Sequence, residues 1–132
     1  MSSKNNYLLK MVPYISERRS FLLKRTGGDK AGHIYEFPQK ENTKHIEDVK
    51  PLASKTLENI TNIPSKPVKT GESFEHPQDG TNNNVVPVLL VIDEEDVEHI
   101  PGGFDLVDRS QIKGKDLSVL EIKTMNKLGI EM

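Results

Sequence analysis

The sequence predicts an α+β protein: a small N-terminal β-hairpin unit and a C-terminal β-β-α unit, joined by an extended polar strap with one short helix. Three observations predict it. Apolar runs rich in aromatic or β-branched residues sit near both ends. Between them, Gln39 to Asn84 is mostly Lys, Glu, Asn, Thr, Ser, Gly and Pro, with Phe74 its one aromatic ring. The apolar share of the whole chain is 34%, with no Trp, against about 45–50% in a typical domain on a count that includes Gly. So thin a core suits two small ordered ends better than one large domain. The expected units are 1–38, 39–84 and 85–132.

Phe21-Leu22-Leu23-Lys24-Arg25 and His33-Ile34-Tyr35-Glu36-Phe37 flank the Gly-rich stretch Thr26–Gly32, a hairpin pattern. Phe21 and Leu23 share one face, with Tyr35 and Phe37 opposite them. A lone two-stranded hairpin is marginal in water, so a third strand is expected over Tyr7–Val12.

In the strap, Pro51 suits a helix start and Pro64 a stop. Leu52, Leu57, Ile60 and Ile63 recur at roughly helical spacing, which predicts a helix over about 51–63. A helix of that length is marginal alone, and its apolar face is expected to dock on another protein. Ser65–Asn84, with its Pro breaks and Asp79-Gly80, reads as linker.

The C-terminal unit opens on Val85-Val86-Pro87-Val88-Leu89-Leu90-Val91-Ile92. This is a strand buried on both faces from Val88, with Pro87 confined to its start or to an edge. Phe104–Val107 is a second short strand. If the ends share one sheet, Phe21, Leu23, Tyr35, Phe37, Leu90 and Ile92 form the core. Ser118-x-x-Glu121 followed by Gly129 and Ile130 predicts a capped helix. The rival is a strand through Val119–Lys123.

Composition excludes several chemistries. With no Cys there are no disulfides, thiolate metal sites or cysteine nucleophiles. His33, His45, His76 and His99 do not pair at metal-ligand spacing. Asp93–Glu98 lacks the alternating ligands and central Gly of an EF-hand, and Gly27–Gly32 lacks the order of a phosphate loop. No signal-peptide h-region opens the chain, and the longest apolar run, Val85–Ile92, is too short to span a bilayer. A virion or cytoplasmic location is therefore expected, with no membrane partner.

Charge is uneven within a net −2. Residues 1–30 hold seven basic and two acidic residues, and residues 85–132 hold five and ten. The basic set Arg18, Arg19, Lys24, Arg25 and Lys30, interleaved with Tyr14, Phe21 and Tyr35, suits a partner surface, with nucleic acid as the alternative partner.

One chemical pattern belongs to the strand reading. Gly103-Phe104-Asp105-Leu106 precedes Leu120-Glu121-Ile122-Lys123. This resembles the PD-(D/E)xK nuclease superfamily, in which an Asp after a turn and an E-x-K on the next strand serve phosphodiester cleavage. The resemblance implies Asp105 and Glu121 holding Mg²⁺ and Lys123 stabilising charge.

The build leads to a first expectation: a non-enzymatic structural or adaptor subunit of a large assembly, of the phage virion kind, without cofactor or metal. Its partner-binding residues would be Leu52, Leu57, Ile60 and Ile63 on the strap, and Arg18, Arg19, Lys24 and Arg25 on the hairpin. The alternatives are the Mg²⁺-dependent nuclease or a degenerate relative, and a nucleic-acid-binding accessory protein.

Overall fold

The computed structural model describes residues 5–26, 34–42, 44–78, 80–112 and 116–130. Among the described residues the fold is α+β, a mixed eight-stranded sheet with two α-helices. Strands β1 (Asn5–Ile15) and β7 (Thr81–Val91) run parallel side by side over ten residue pairs, Asn5↔Asn82 to Tyr14↔Val91. Each carries two further strands on its outer side. Beside β1 lie β4 (Gln39–Asn42) and then β2 (Ser20–Arg25), and β2 in turn pairs with β3 (Tyr35–Glu36) and β8 (Phe104–Asp108). Beside β7 lie β6 (Phe74–Gln78) and then β5 (Lys66–Thr70).

This corrects the expectation of two ends joined by a strap. The polar middle supplies β4, β5, β6 and the start of β7, all in the sheet that joins the ends. Their polarity reflects position: β5 is an edge strand and mostly exposed, where lysines and a proline suit an open sheet edge. Where a linker was expected, β6 pairs antiparallel with β7, Gln78 opposite Thr81, and Gly80 takes φ +77°; Asp79 lies outside the described residues.

Pro87 lies inside the sheet, not at its start. Its carbonyl accepts from Gly71 N (2.9 Å) on the β5–β6 side, and a strand residue's N and O face the same neighbour. The missing N–H therefore falls at the junction where β6 gives way to β5. Pro13 on β1 is placed alike. Met11, two residues earlier and facing the same side, donates to Pro38 O (2.9 Å), and the outer partner changes from β4 to β2 across this region. Pro87 lacks the return bond to Gly71, and both prolines sit where the outer neighbour changes, the kind of position in which a strand tolerates proline.

Side-chain alternation divides the core into two layers. Leu9, Met11, Val88, Leu90 and Ile92 face α1 (Val49–Thr61) and pack with its Ala53 and Leu57 and with Ile63 just beyond it. Val12, Phe21, Leu23 and Phe37 face α2 (Val119–Lys127), against Met125, Leu128 and Ile130. The six residues expected in one core are thus split: Phe21, Leu23, Tyr35 and Phe37 on the α2 face, Leu90 and Ile92 on the other.

The α1 helix begins two residues before Pro51 and ends at Asn62, which takes the left-handed conformation (φ +62°). The 118–130 segment is the helix, not the strand. Gly129 at φ +76° lets its N–H reach Asn126 O (3.0 Å) and that of Ile130 reach Met125 O (2.9 Å), a Schellman closure. Among the described residues, no helix is long and apolar enough to cross a membrane.

Candidate ligand-binding site

The β1 run Leu8-Leu9-Lys10-Met11-Val12 puts a lysine where alternation demands an apolar side chain. Leu9 and Met11 face α1; Lys10 faces α2, between Leu8 and Val12. It is 0% exposed. Its ammonium forms an ion pair with Glu121 at the third position of α2 and donates to Phe37 O (3.2 Å). Glu121 is 2% exposed. Its Oε1 also accepts from Phe37 N (3.2 Å), and its Oε2 from Ser118 Oγ (2.7 Å). Ser118 thus binds the Glu121 side chain and makes no side-chain bond to the helix backbone, so the expected capping box does not form: Glu121 turns to Lys10 and Phe37 N instead of the Ser118 N–H.

Taking two ions out of water costs several kcal/mol each, and the pair persists only if its remaining groups are satisfied. Here the Phe37 backbone donates to one partner and accepts from the other, which ties β1, the β3–β4 connection and α2 together through one charge pair.

Lys10 and Glu121 lie at the base of a cleft of about 580 Å³ between the sheet and the start of α2. Leu8, Gln39, Glu41, His76 and Asn83 line it from the sheet, with Glu36, and Ser118, Val119 and Leu120 from the helix. The volume lies in the range of small-molecule sites, about 300–1,000 Å³. Hydrogen-bonding side chains sit beside apolar Leu8, Val119 and Leu120, a lining suited to a flat polar molecule.

A second polar group lies on β2, β3 and β8. Tyr35 Oη donates to Asp105 Oδ2 (3.0 Å), which also lies 3.6 Å from Arg25 Nε. Burial, and then the hydrogen bond to Asp105, raise the Tyr35 phenol above its ordinary value. Each group is engaged by another of the set.

The nuclease arrangement does not form. Glu121 and Lys123 sit on a helix, so two residues apart puts them on different sides: Glu121 buried, Lys123 exposed. Asp105 is held by Tyr35 and Arg25 on β8, and Glu121 by Lys10. Mg²⁺ needs converging oxygen ligands. Among the described residues, no three His, Asp or Glu side chains come together to hold a metal, and the one acidic residue within α1, Glu58, is exposed. The residues present do not fit a carboxylate-held metal.

The expected partner residues are dispersed. Leu57 and Ile63 are buried in the chain's own core and Leu52 packs against it, while Ile60 is exposed. The helix therefore docks on its own sheet. Arg18 pairs with Glu94 (3.1 Å), and Arg19 is in a left-handed turn (φ +49°). Lys24 and Arg25 lie at the other end of β2, with Lys24 3.9 Å from Glu36. Four residues, Ser20 to Leu23, lie between the two basic pairs, and five extended steps put them roughly 16 Å apart. Lys30 and His33 are outside the described residues. His45 is exposed and meets Tyr7 edge-on. Sequence reasoning missed Lys10, Gln39, Glu41, His76 and Asn83; the available signal was the charge interrupting the β1 apolar run.

No protein-family model matches the sequence, and no curated protein sequence matches it. Solved structures do. The C-terminal domain of mouse MUTYH, solved in complex with human PCNA, matches with a TM-score of 0.72 at 13% identity, over 94% of this chain and 87% of that one. A Nudix hydrolase from Nitrosomonas europaea gives 0.67 at 13% identity, over 96% and 89%. The Ap4A hydrolase of C. elegans gives 0.63 at 15% identity, over 97% of each chain. These matches overturn the expectation of a phage structural subunit with extended arms, since the described residues form a sheet-and-helix fold shared with solved hydrolase structures. At such identities the likeness concerns architecture: this chain has the fold that the Nudix hydrolase, the Ap4A hydrolase and the MUTYH domain share.

Proposed function

We propose that this chain is a ligand-binding domain on the hydrolase fold, taking a small polar molecule of the nucleoside class in the cleft between the sheet and α2. The observation that carries this reading is the buried Lys10–Glu121 pair at the base of that cleft. Such a pair is weak as a stabilising device, because apolar residues of similar volume usually serve stability as well or better. A charge pair retained in a core, opening onto a cleft of small-molecule size, is a mark of recognition. The amide side chains of Gln39 and Asn83 and the Ser118 hydroxyl supply donors and acceptors, and Leu8, Val119 and Leu120 supply apolar surface for a ring. The carboxylates of Glu36 and Glu41, with Lys10 and Glu121 cancelling, make the lining acidic overall, so the uncharged part of a nucleotide suits it better than the phosphates. The Ap4A hydrolase among the similar structures supports the ligand class by its name.

The test is an NMR titration of the chain with adenosine, guanosine, ATP and Ap4A. Saturable shifts at Leu8, Gln39, Asn83 and Val119 are expected with at least one of them. Shifts confined to other surfaces, or none at all, would remove the reading. Protein contact is a separate matter: the MUTYH domain was solved with a protein partner, and co-purification from cells would find a counterpart here.

A further inference from the structure

Resting on the cleft reading above, we infer that Lys10 is the resident cation of this cleft, so that ligand is held without a divalent metal and is not cleaved. In metal-assisted hydrolysis a cation held by carboxylates neutralises charge and activates water. The carboxylate best placed for that here is already neutralised by an ammonium on its own chain. Glu121 is 2% exposed and engages Lys10, Phe37 N and Ser118 Oγ, which leaves one of its roughly four acceptor sites, too few to hold an aqueous ion. A divalent cation beside it would also meet the Lys10 charge at close range. The other two carboxylates of the cleft, Glu36 and Glu41, stand on separate strands, and Glu36 has Lys24 3.9 Å away. Lys10 itself has three N–H groups, and Phe37 O and Glu121 account for two of them. Lys10 lines the cleft although 0% exposed, which leaves the third for a ligand acceptor bound against it.

The experiment has three readouts on the whole chain. The ligand from the panel above is titrated calorimetrically in EDTA and in excess Mg²⁺; affinities within about twofold of each other are expected, and about tenfold tightening with Mg²⁺ overturns the inference. Mn²⁺ is titrated into the free chain by electron paramagnetic resonance. No saturable site in the micromolar range is expected, and finding one overturns the inference even if no nucleoside binds. Finally, the Lys10 ammonium resonance, observable for a buried amine, is followed through the ligand titration. It shifts to saturation if Lys10 meets ligand; an unmoved resonance with shifting Gln39 and Asn83 keeps the cleft reading and sinks the role of Lys10. Mg²⁺-dependent release of phosphate from ATP or Ap4A would overturn the claim that the ligand is not cleaved.

Discussion

The two faces of the sheet are built to different rules. The α1 face is closed and almost wholly apolar: Leu9, Met11, Val88, Leu90 and Ile92 against Ala53, Leu57 and Ile63. Its buried hydroxyl on Thr61 is satisfied within the helix turn, donating to Leu57 O and accepting from Ile63 N. The α2 face has an apolar half around Phe21, Phe37 and Met125, and a polar half around Lys10 and Glu121 that opens into the cleft. Among the described residues, the α1 layer buries no charged side chain. The other face carries a charge pair that stability does not require, and this difference is what points to the α2 face as the place of recognition.

The largest effect expected from breaking the contrast comes from Lys10→Met. It leaves the Glu121 carboxylate buried without its cation, which typically costs about 3–5 kcal/mol. The double variant Lys10→Met/Glu121→Leu removes both charges and regains most of that loss, while losing ligand affinity. Urea denaturation of the three chains measures it. A single variant as stable as the parent would mean that the pair is not buried in solution.

On the α1 face, Leu57→Ala opens a cavity in a closed apolar layer and is expected to cost about 2–5 kcal/mol. Ile60→Ala, on the exposed side of the same helix, should stay within about 0.5 kcal/mol. Equal small effects would return the helix to a partner's surface. The C-terminal closure of α2 is a smaller lever. Gly129→Ala places a Cβ in the left-handed region and 3.2 Å from Lys69 Nζ, with an expected loss of about 1–2 kcal/mol by thermal unfolding.

The smallest effect is a titration at the far side of the α2 face. Burial and Asp105 raise the Tyr35 pKa, so the fold favours the neutral phenol. That contribution is whole below the ordinary value of about 10 and is lost as pH rises through the folded-state value. Ultraviolet titration should show one late-ionising tyrosine, absent in Tyr35→Phe. A phenol ionising at its ordinary value would mean that Tyr35 does not meet Asp105.

Parts of this architecture were legible from local chemistry. The α2 helix was written in Gly129-Ile130, whose closure acts within one turn; Ser118-x-x-Glu121 marked its start, although those side chains bond each other, Lys10 and Phe37 and not the helix backbone. The β2–β3 pairing followed from the two flanking apolar runs, and β7 from its β-branched residues. Other parts were misread because their meaning is not local. Asp79-Gly80 is a hairpin signal, yet the polar residues around it look like linker until β7 supplies a strand to pair with. Pro87 reads as a boundary unless its neighbour on one side is known to change at that residue.

By itself the sequence determined the α+β class, the β2–β3 pairing, the two helices and the apolar part of β7, and that no thiol chemistry is available. Those properties follow from spacing, backbone restriction and residue type. Only the tertiary structure decided that a parallel β1–β7 pair joins the two ends, that Leu57 is buried by its own chain, and that Glu121 belongs to Lys10 and not to Asp105. The reason is physical. Lys10 and Glu121 are 111 residues apart, and the free energy of a charge depends on what surrounds it in space, which no local pattern records.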